Sequence, residues 1–89
     1  MRLFKKIRSV RRPYKEQGLI CFVCLNVKKL PEEVQRKILN LCIEVAGEDY
    51  KALYDFLTDD SLNAVGVCRK HLIDDKKLYK LRKEFYEKW

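Results

Sequence analysis

The sequence is poor in the residues on which most enzymes depend. It has one histidine, His71, two serines, Ser9 and Ser61, and three glycines. So few scattered glycines cannot build a phosphate-binding loop, and a metal-bound His71 would leave no imidazole to act as a general base. The paired acids fall at expected helix ends, where they interact favourably with the helix dipole. We therefore expect a protein that is not an enzyme and has no small-molecule substrate.

Long hydrophobic runs are also absent. The longest run, residues 19–25, has seven residues, whereas a helix that spans a bilayer needs about 20. The basic N-terminus has no continuous apolar stretch of the kind found in secretory signals. We therefore expect no membrane span and a cytoplasmic, reducing location. In that setting, metal binding is a better explanation than disulfides for the four cysteines.

Positive charge is concentrated at the N-terminus. The chain has 20 Lys and Arg against 13 Asp and Glu, which gives a formal net charge of +7. The same charge is found in residues 1–15, here called the basic arm, whose bases are Arg2, Lys5, Lys6, Arg8, Arg11, Arg12 and Lys15. The rest of the chain is neutral but polarised, because residues 31–61 carry −5 and residues 62–89 carry +4. An anionic partner is therefore to be sought first at the arm.

The basic arm also carries apolar residues at helical spacing: Leu3, Phe4, Ile7 and Val10. A partner could support it as a short amphipathic helix, which Pro13 would end. Neutralisation of a nucleic-acid backbone is the leading interpretation. Attachment to a membrane surface, docking to an acidic protein and a merely solvated tail stay open.

After the arm, residues 16–89 are expected to form one small, mainly α domain of three to four helices. A domain of this size buries little apolar surface, and a bound metal is one physical means of stabilising it. Residues 18–25 are rich in β-branched and aromatic side chains. They predict a short strand or extended loop, which leaves a small hairpin or knuckle open.

Three helices are predicted from apolar spacing and end signals. Residues 31–46 form the central one, and Gly47 ends it. Asp49 is the expected N-cap of a shorter second helix. A turn over residues 61–65 is broken by Gly66, and residues 74–89 form an amphipathic terminal helix.

The most specific motif is a pair of ligand pairs, Cys21-x-x-Cys24 and Cys68-x-x-His71. A tight turn can direct the first two thiolates to one side, and residues three apart at the start of a helix share a face. Three thiolates and one imidazole match a closed, tetrahedral structural Zn²⁺ site. Such a metal would couple binding to folding.

These four residues resemble treble-clef-like zinc modules, in which a Cys-x-x-Cys knuckle pairs with a Cys-x-x-Cys or Cys-x-x-His at the first turn of a helix. The resemblance implies a structural zinc and no particular function, since the class serves nucleic-acid binding and protein binding alike. A redox pair, an iron–sulfur cluster and unligated buried thiols are the alternatives to zinc. Cys42 lies on the core face of the central helix and is expected to be an inert buried thiol.

A second candidate contact surface lies on the terminal helix. Aromatic and basic residues interleave on one flank of its apolar stripe, at Tyr79, Arg82, Lys83 and Tyr86, with Lys76 and Lys80 beyond them. This mixture suits stacking on unpaired bases and neutralising phosphates. The alternative is that the tyrosines pack at the rim of the core while the lysines are solvated.

Together these features predict a small non-catalytic zinc-binding accessory protein that binds RNA or a nucleoprotein assembly through its basic arm. DNA stays open as the nucleic acid. The competing hypothesis is a protein-interaction adaptor or regulator, which would bind a partner through the acidic central helices or the terminal helix.

Overall fold

The computed structural model describes residues 11–59 and 61–89, and most of them are helical. The predicted mainly α class is confirmed. The described part contains five α-helices where three to four were predicted: α1 (Tyr14–Leu25), α2 (Glu32–Ala46), α3 (Tyr50–Thr58), α4 (Ala64–His71) and α5 (Asp75–Lys88). Short 3-10 turns, Val27–Lys29 and Gly47–Asp49, precede α2 and α3 respectively.

Helix α1 overturns the predicted strand or extended loop at residues 18–25 and the hairpin or knuckle around it. Its inner face is formed by Gln17, Ile20 and Cys24, which are buried at spacings of three and four. Apolar residues also occupy the outer face, where Leu19 and Phe22 are exposed. Because apolar residues lie on both faces of the helix, they are not confined to the spacing of three and four residues that indicates an amphipathic helix. Pro13 precedes the first turn, a position that proline tolerates.

The central helix is where its end signals predicted it. Glu32 and Glu33 lie in the first turn of α2, and Gly47 follows its last residue with a φ of 57°. That left-handed conformation favours glycine. Cys42 is buried, as predicted for the core face of this helix, together with Ile38 and Leu41, whereas Ile43 is exposed.

Helix α4 differs from the prediction, because Gly66 lies inside it. The helix begins after Asn63, whose side-chain oxygen accepts a hydrogen bond from the Gly66 backbone N–H at 2.8 Å. Cys68 and His71 therefore belong to its second half, and Leu72 ends it in a left-handed conformation. The predicted turn at residues 61–65 is shorter than expected, since α4 already includes Ala64.

Helix α3 contacts each of the other four helices. Its buried residues are Ala52, Leu53, Phe56 and Leu57. From α5, Leu78 and Phe85 enter the same core and are fully buried. No helix in the described ranges is long and apolar enough to cross a membrane.

Ion pairs connect the acidic central segment to the basic C-terminal segment. Asp49 pairs with Lys77, and Glu44 lies 3.6 Å from Lys88. Asp55 of α3 pairs with Lys70 of α4 at 3.0 Å. Each surface pair contributes at most about 1 kcal/mol, so their main effect is on the surface potential. The negative charge of residues 31–61 is therefore partly neutralised by bases of residues 62–89.

The cap of α4 can be tested. We expect Asn63→Ala to lower the free energy of unfolding by about 1 kcal/mol, because the Gly66 N–H loses its acceptor. Urea denaturation followed by circular dichroism measures the change. The exposed Asn40 of α2 makes a matched control, and Asn40→Ala should stay within about 0.5 kcal/mol of the parent. Equal effects of the two substitutions would contradict the cap.

Candidate nucleic-acid interface

The exposed side of α5 carries a stripe of basic residues around one tyrosine. Lys76, Tyr79, Lys80 and Lys83 stand at i, i+3, i+4 and i+7, the spacing of residues on one helix face. We call these four residues the α5 stripe. No ion pair engages its lysines within the described part of the chain, in contrast to the paired Lys77 and Lys88. The stripe is therefore a row of cations open to an anion.

Tyr79 is held at the centre of this stripe by two neighbours while 45% of it stays exposed. Its ring meets the Phe56 ring edge-on, with centroids 6.0 Å apart. The Arg82 guanidinium lies 5.0 Å from the Tyr79 centroid and 5.2 Å from that of Phe56. These distances are within the range of cation–π attraction. The predicted contact residues Tyr79 and Arg82 thus form one packed group that is anchored on the core.

The end of the basic arm is fastened to the C-terminal turn of α5. Arg12 Nε donates to the Tyr86 carbonyl oxygen at 2.6 Å, and a second guanidinium nitrogen lies 3.4 Å from the Glu87 carbonyl oxygen. These carbonyls belong to the last turn of a helix, where a cation is stabilised by the helix dipole. The fully buried Gln17 donates in turn to the Arg12 carbonyl oxygen at 2.8 Å. Arg12 is therefore a structural anchor as well as a surface cation.

This anchoring brings the arm and the stripe together. A surface groove of 460 Å³ is lined by Arg11, Arg12, Pro13, Glu16, Lys83 and Glu87. Arg11 comes from the arm and Lys83 from the α5 stripe, so the two basic elements share one groove. Glu16 lies 3.4 Å from Arg12 and screens part of its charge.

The other residues predicted to contact nucleic acid differ in where they lie. Arg2, Lys5, Lys6 and Arg8 lie outside the described residues, and Lys15 is exposed on α1. Tyr86 corrects the sequence interpretation, because only 4% of it is exposed. Its ring packs against Phe85 and lies beside Cys21 and Cys24, so it cannot stack on a base.

Comparison with known proteins adds no assignment. No protein family matches the chain, and neither curated proteins nor solved structures give a significant match.

The four predicted zinc ligands do not form one centre in this structure. All four lie in the described part, where no three or more His, Cys, Asp or Glu side chains are arranged to hold a metal ion. Cys21 and Cys24 are on α1, beside Tyr86 of α5, whereas Cys68 and His71 are on α4. A zinc centre formed by these four residues stays a prediction.

His71 contacts a carboxylate. Its Nε2 lies 2.7 Å from Oδ2 of Asp55, on α3. An ionised carboxylate only accepts hydrogen bonds, so this nitrogen is the donor. Burial acts to raise the pKa of Asp55, but hydrogen bonds from His71 and Lys70 outweigh it and hold that pKa below its usual value. The contact joins α4 to α3, and residue spacing contained no signal for it.

Two of the thiols are fixed in the core. Cys24 and Cys42 are buried on α1 and α2. Burial raises the pKa of Cys24, and the neighbouring Cys42 and Cys21 raise it further. Burial also raises the pKa of Cys42 to about 12. Without a bound metal, both thiols are therefore protonated at neutral pH and are poor nucleophiles.

A second groove, of 470 Å³, lies against α3. Its charged residues are Lys28, Lys29, Asp55 and Asp59. Because the two signs balance, this groove is a weaker candidate for a polyanion than the arm and the α5 stripe.

We expect alkylating reagents to modify Cys21 and Cys68 before Cys24 and Cys42 in the native protein. The first two thiols are half-buried, whereas the other two are buried and protonated. Mass spectrometry of peptides from a time course of alkylation at mildly alkaline pH gives the four rates. Addition of a chelator should leave their order unchanged.

Zinc bound at the predicted ligands gives a different pattern. Cys21, Cys24 and Cys68 would then be protected together and released together by the chelator. Elemental analysis would find one zinc per chain, which Cys68→Ser would lose. That result would overturn the arrangement of thiols described above.

Proposed function

We propose that this protein is a small RNA-binding accessory protein, acting on free RNA or within a nucleoprotein assembly, which grips the phosphate backbone with its basic arm and the α5 stripe. The observation that carries the proposal is the groove shared by Arg11 and Lys83. The groove brings together two basic elements that are far apart in the sequence, and its three bases outnumber its two acids, Glu16 and Glu87.

Charge distribution supports a polyanion as the partner. Residues 1–10 contribute four bases and no acid, and the Arg12 anchor fixes the point at which they join the folded part. Lys76, Lys80 and Lys83 extend the surface along α5. Binding at such a surface releases counterions from the nucleic acid, so affinity falls with salt by about 0.7 in log K per log unit of salt for each phosphate neutralised on a single strand.

The adaptor hypothesis is less well supported by the described surface. Several acids of the central segment already have partners within the chain, such as Glu44 with Lys88, Asp49 with Lys77 and Asp55 with Lys70. Glu32 is paired with Arg36 at 2.7 Å. Their negative charge is partly neutralised before any partner approaches. A protein partner that stays bound after nuclease treatment would nevertheless favour the adaptor hypothesis.

Neutralising the arm tests this proposal without removing Arg12. We expect a variant with Arg2, Lys5, Lys6 and Arg8 all changed to Gln to bind oligouridylate more weakly than the parent. The slope of log K against log salt should become shallower by about 0.7 for each phosphate that the arm no longer neutralises. Fluorescence anisotropy over a range of salt concentrations measures both quantities.

A matched control removes the same number of charges elsewhere. Lys28, Lys29, Lys51 and Arg69 are exposed and lie outside the proposed surface. Changing these four residues to Gln should leave the salt slope close to that of the parent. The proposal fails if the two variants lose affinity equally or if the unmodified protein shows no salt-dependent binding to RNA.

A further inference from the structure

We infer that Tyr79 is a stacking platform for an unpaired base of a single-stranded RNA whose phosphates are held by the α5 stripe. This inference rests on the proposed function, since it requires RNA at the same surface. Beyond that function, it specifies a preference for single-stranded RNA and assigns that preference to Tyr79.

The first support is the way in which the Tyr79 ring is positioned. Tyr79 forms a T-shaped pair with Phe56, and the Arg82 guanidinium lies over both rings. Phe56 is itself buried in α3. The ring of Tyr79 is therefore held in place by the side chains beneath it. Little conformational entropy is lost when a ligand covers a side chain that is already ordered.

The second support is the arrangement of the cations. Lys76 and Lys83 lie about one helical turn before and after Tyr79, and Lys80 is adjacent to it. With a rise of about 1.5 Å per residue, the three lysines span about 10 Å along α5. Phosphates held on this row bring the attached bases next to the ring. A groove with basic residues and an aromatic face is the common arrangement for binding a single strand without sequence readout.

Duplex RNA lacks the feature that Tyr79 would bind. Paired bases are stacked on one another and their faces are covered, whereas an unpaired base exposes a π-face. The α5 stripe can attract either form through phosphates, but the tyrosine favours only the single strand. Phe22 offers a contrast, because it is similarly exposed on α1 but has Leu19 one turn before it and Asn26 one turn after it. No basic residue adjoins it at helical spacing.

The test compares two ligands that carry equal numbers of phosphates, a short oligouridylate and an abasic ribose-phosphate strand of the same length. We expect Tyr79→Ala to weaken binding of oligouridylate about tenfold and to leave binding of the abasic strand unchanged. Tyr79→Phe should bind both ligands like the parent, because it keeps the aromatic face. Tyr79→Leu, which keeps an apolar side chain beside Phe56, should behave like Tyr79→Ala.

Phe22→Ala serves as the matched control, since it removes an aromatic residue of similar exposure and should not change either affinity. Circular dichroism checks that each variant retains its helices. A 2-aminopurine in the oligonucleotide gives a separate signal, because its fluorescence should be quenched by the parent and by Tyr79→Phe but not by Tyr79→Leu.

The outcomes separate this inference from the proposed function. If Tyr79→Ala weakens both ligands equally or neither of them, the stacking platform is wrong, while salt-dependent RNA binding through the arm would still stand. If the parent protein binds neither ligand, both proposals are wrong. A loss confined to oligouridylate supports the platform.

Discussion

Packing around α3 is the constraint on which the rest of the structure depends. This nine-residue helix touches each of the other four helices of the described part. Its buried residues include Ala52 and Leu53, while Phe56 contacts Tyr79 and Arg82 of α5. One side chain thus contributes to the core and supports the proposed interface. Loss of packing at Phe56 would disturb both together.

The same fold decides which charges remain available. Acids of the central segment attract bases from α4 and α5, and these pairs remove Lys70, Lys77 and Lys88 from the free cationic surface. On the exposed face of α5, the row formed by Lys76, Lys80 and Lys83 has no such pair within the described residues. A net charge of +7 says little about a partner by itself. Its division between paired and unpaired groups defines where a polyanion can bind.

The sequence predicted α2 and α5 because each has one apolar face and clear end signals. It failed at α1, where apolar residues surround the helix and no period distinguishes a helix from a strand. That error affected the expected metal site as well. The knuckle interpretation needed a tight turn between Cys21 and Cys24, but the structure places both on a continuous helix with Cys24 buried. Spacing alone does not distinguish a pair of thiols in a turn from a pair on successive turns of a helix.

Tyrosines 79 and 86 show a second limit of sequence reasoning. Both were predicted on one flank of the terminal helix, yet one is half-exposed and the other is buried. The difference arises from residues outside the helix, since Arg12 docks on the last turn of α5 and Cys21 lies against Tyr86. Burial by residues that are distant in the sequence cannot be predicted from the local pattern of the helix. The surface of α5 that stays exposed contains Tyr79 and the three lysines of the α5 stripe.

The anchored arm has a physical consequence for binding. A free basic tail and a short row of lysines would each hold RNA weakly, because exposed charges are screened by salt. Arg12 fixes the end of the arm beside Lys83, so a strand bound by one element lies within reach of the other. The second interaction then forms at a high effective concentration, and the combined affinity exceeds that of either element. In the proposed mode of binding, the guanidinium of Arg12 therefore contributes through its position at the C-terminus of α5, in addition to any phosphate that it contacts.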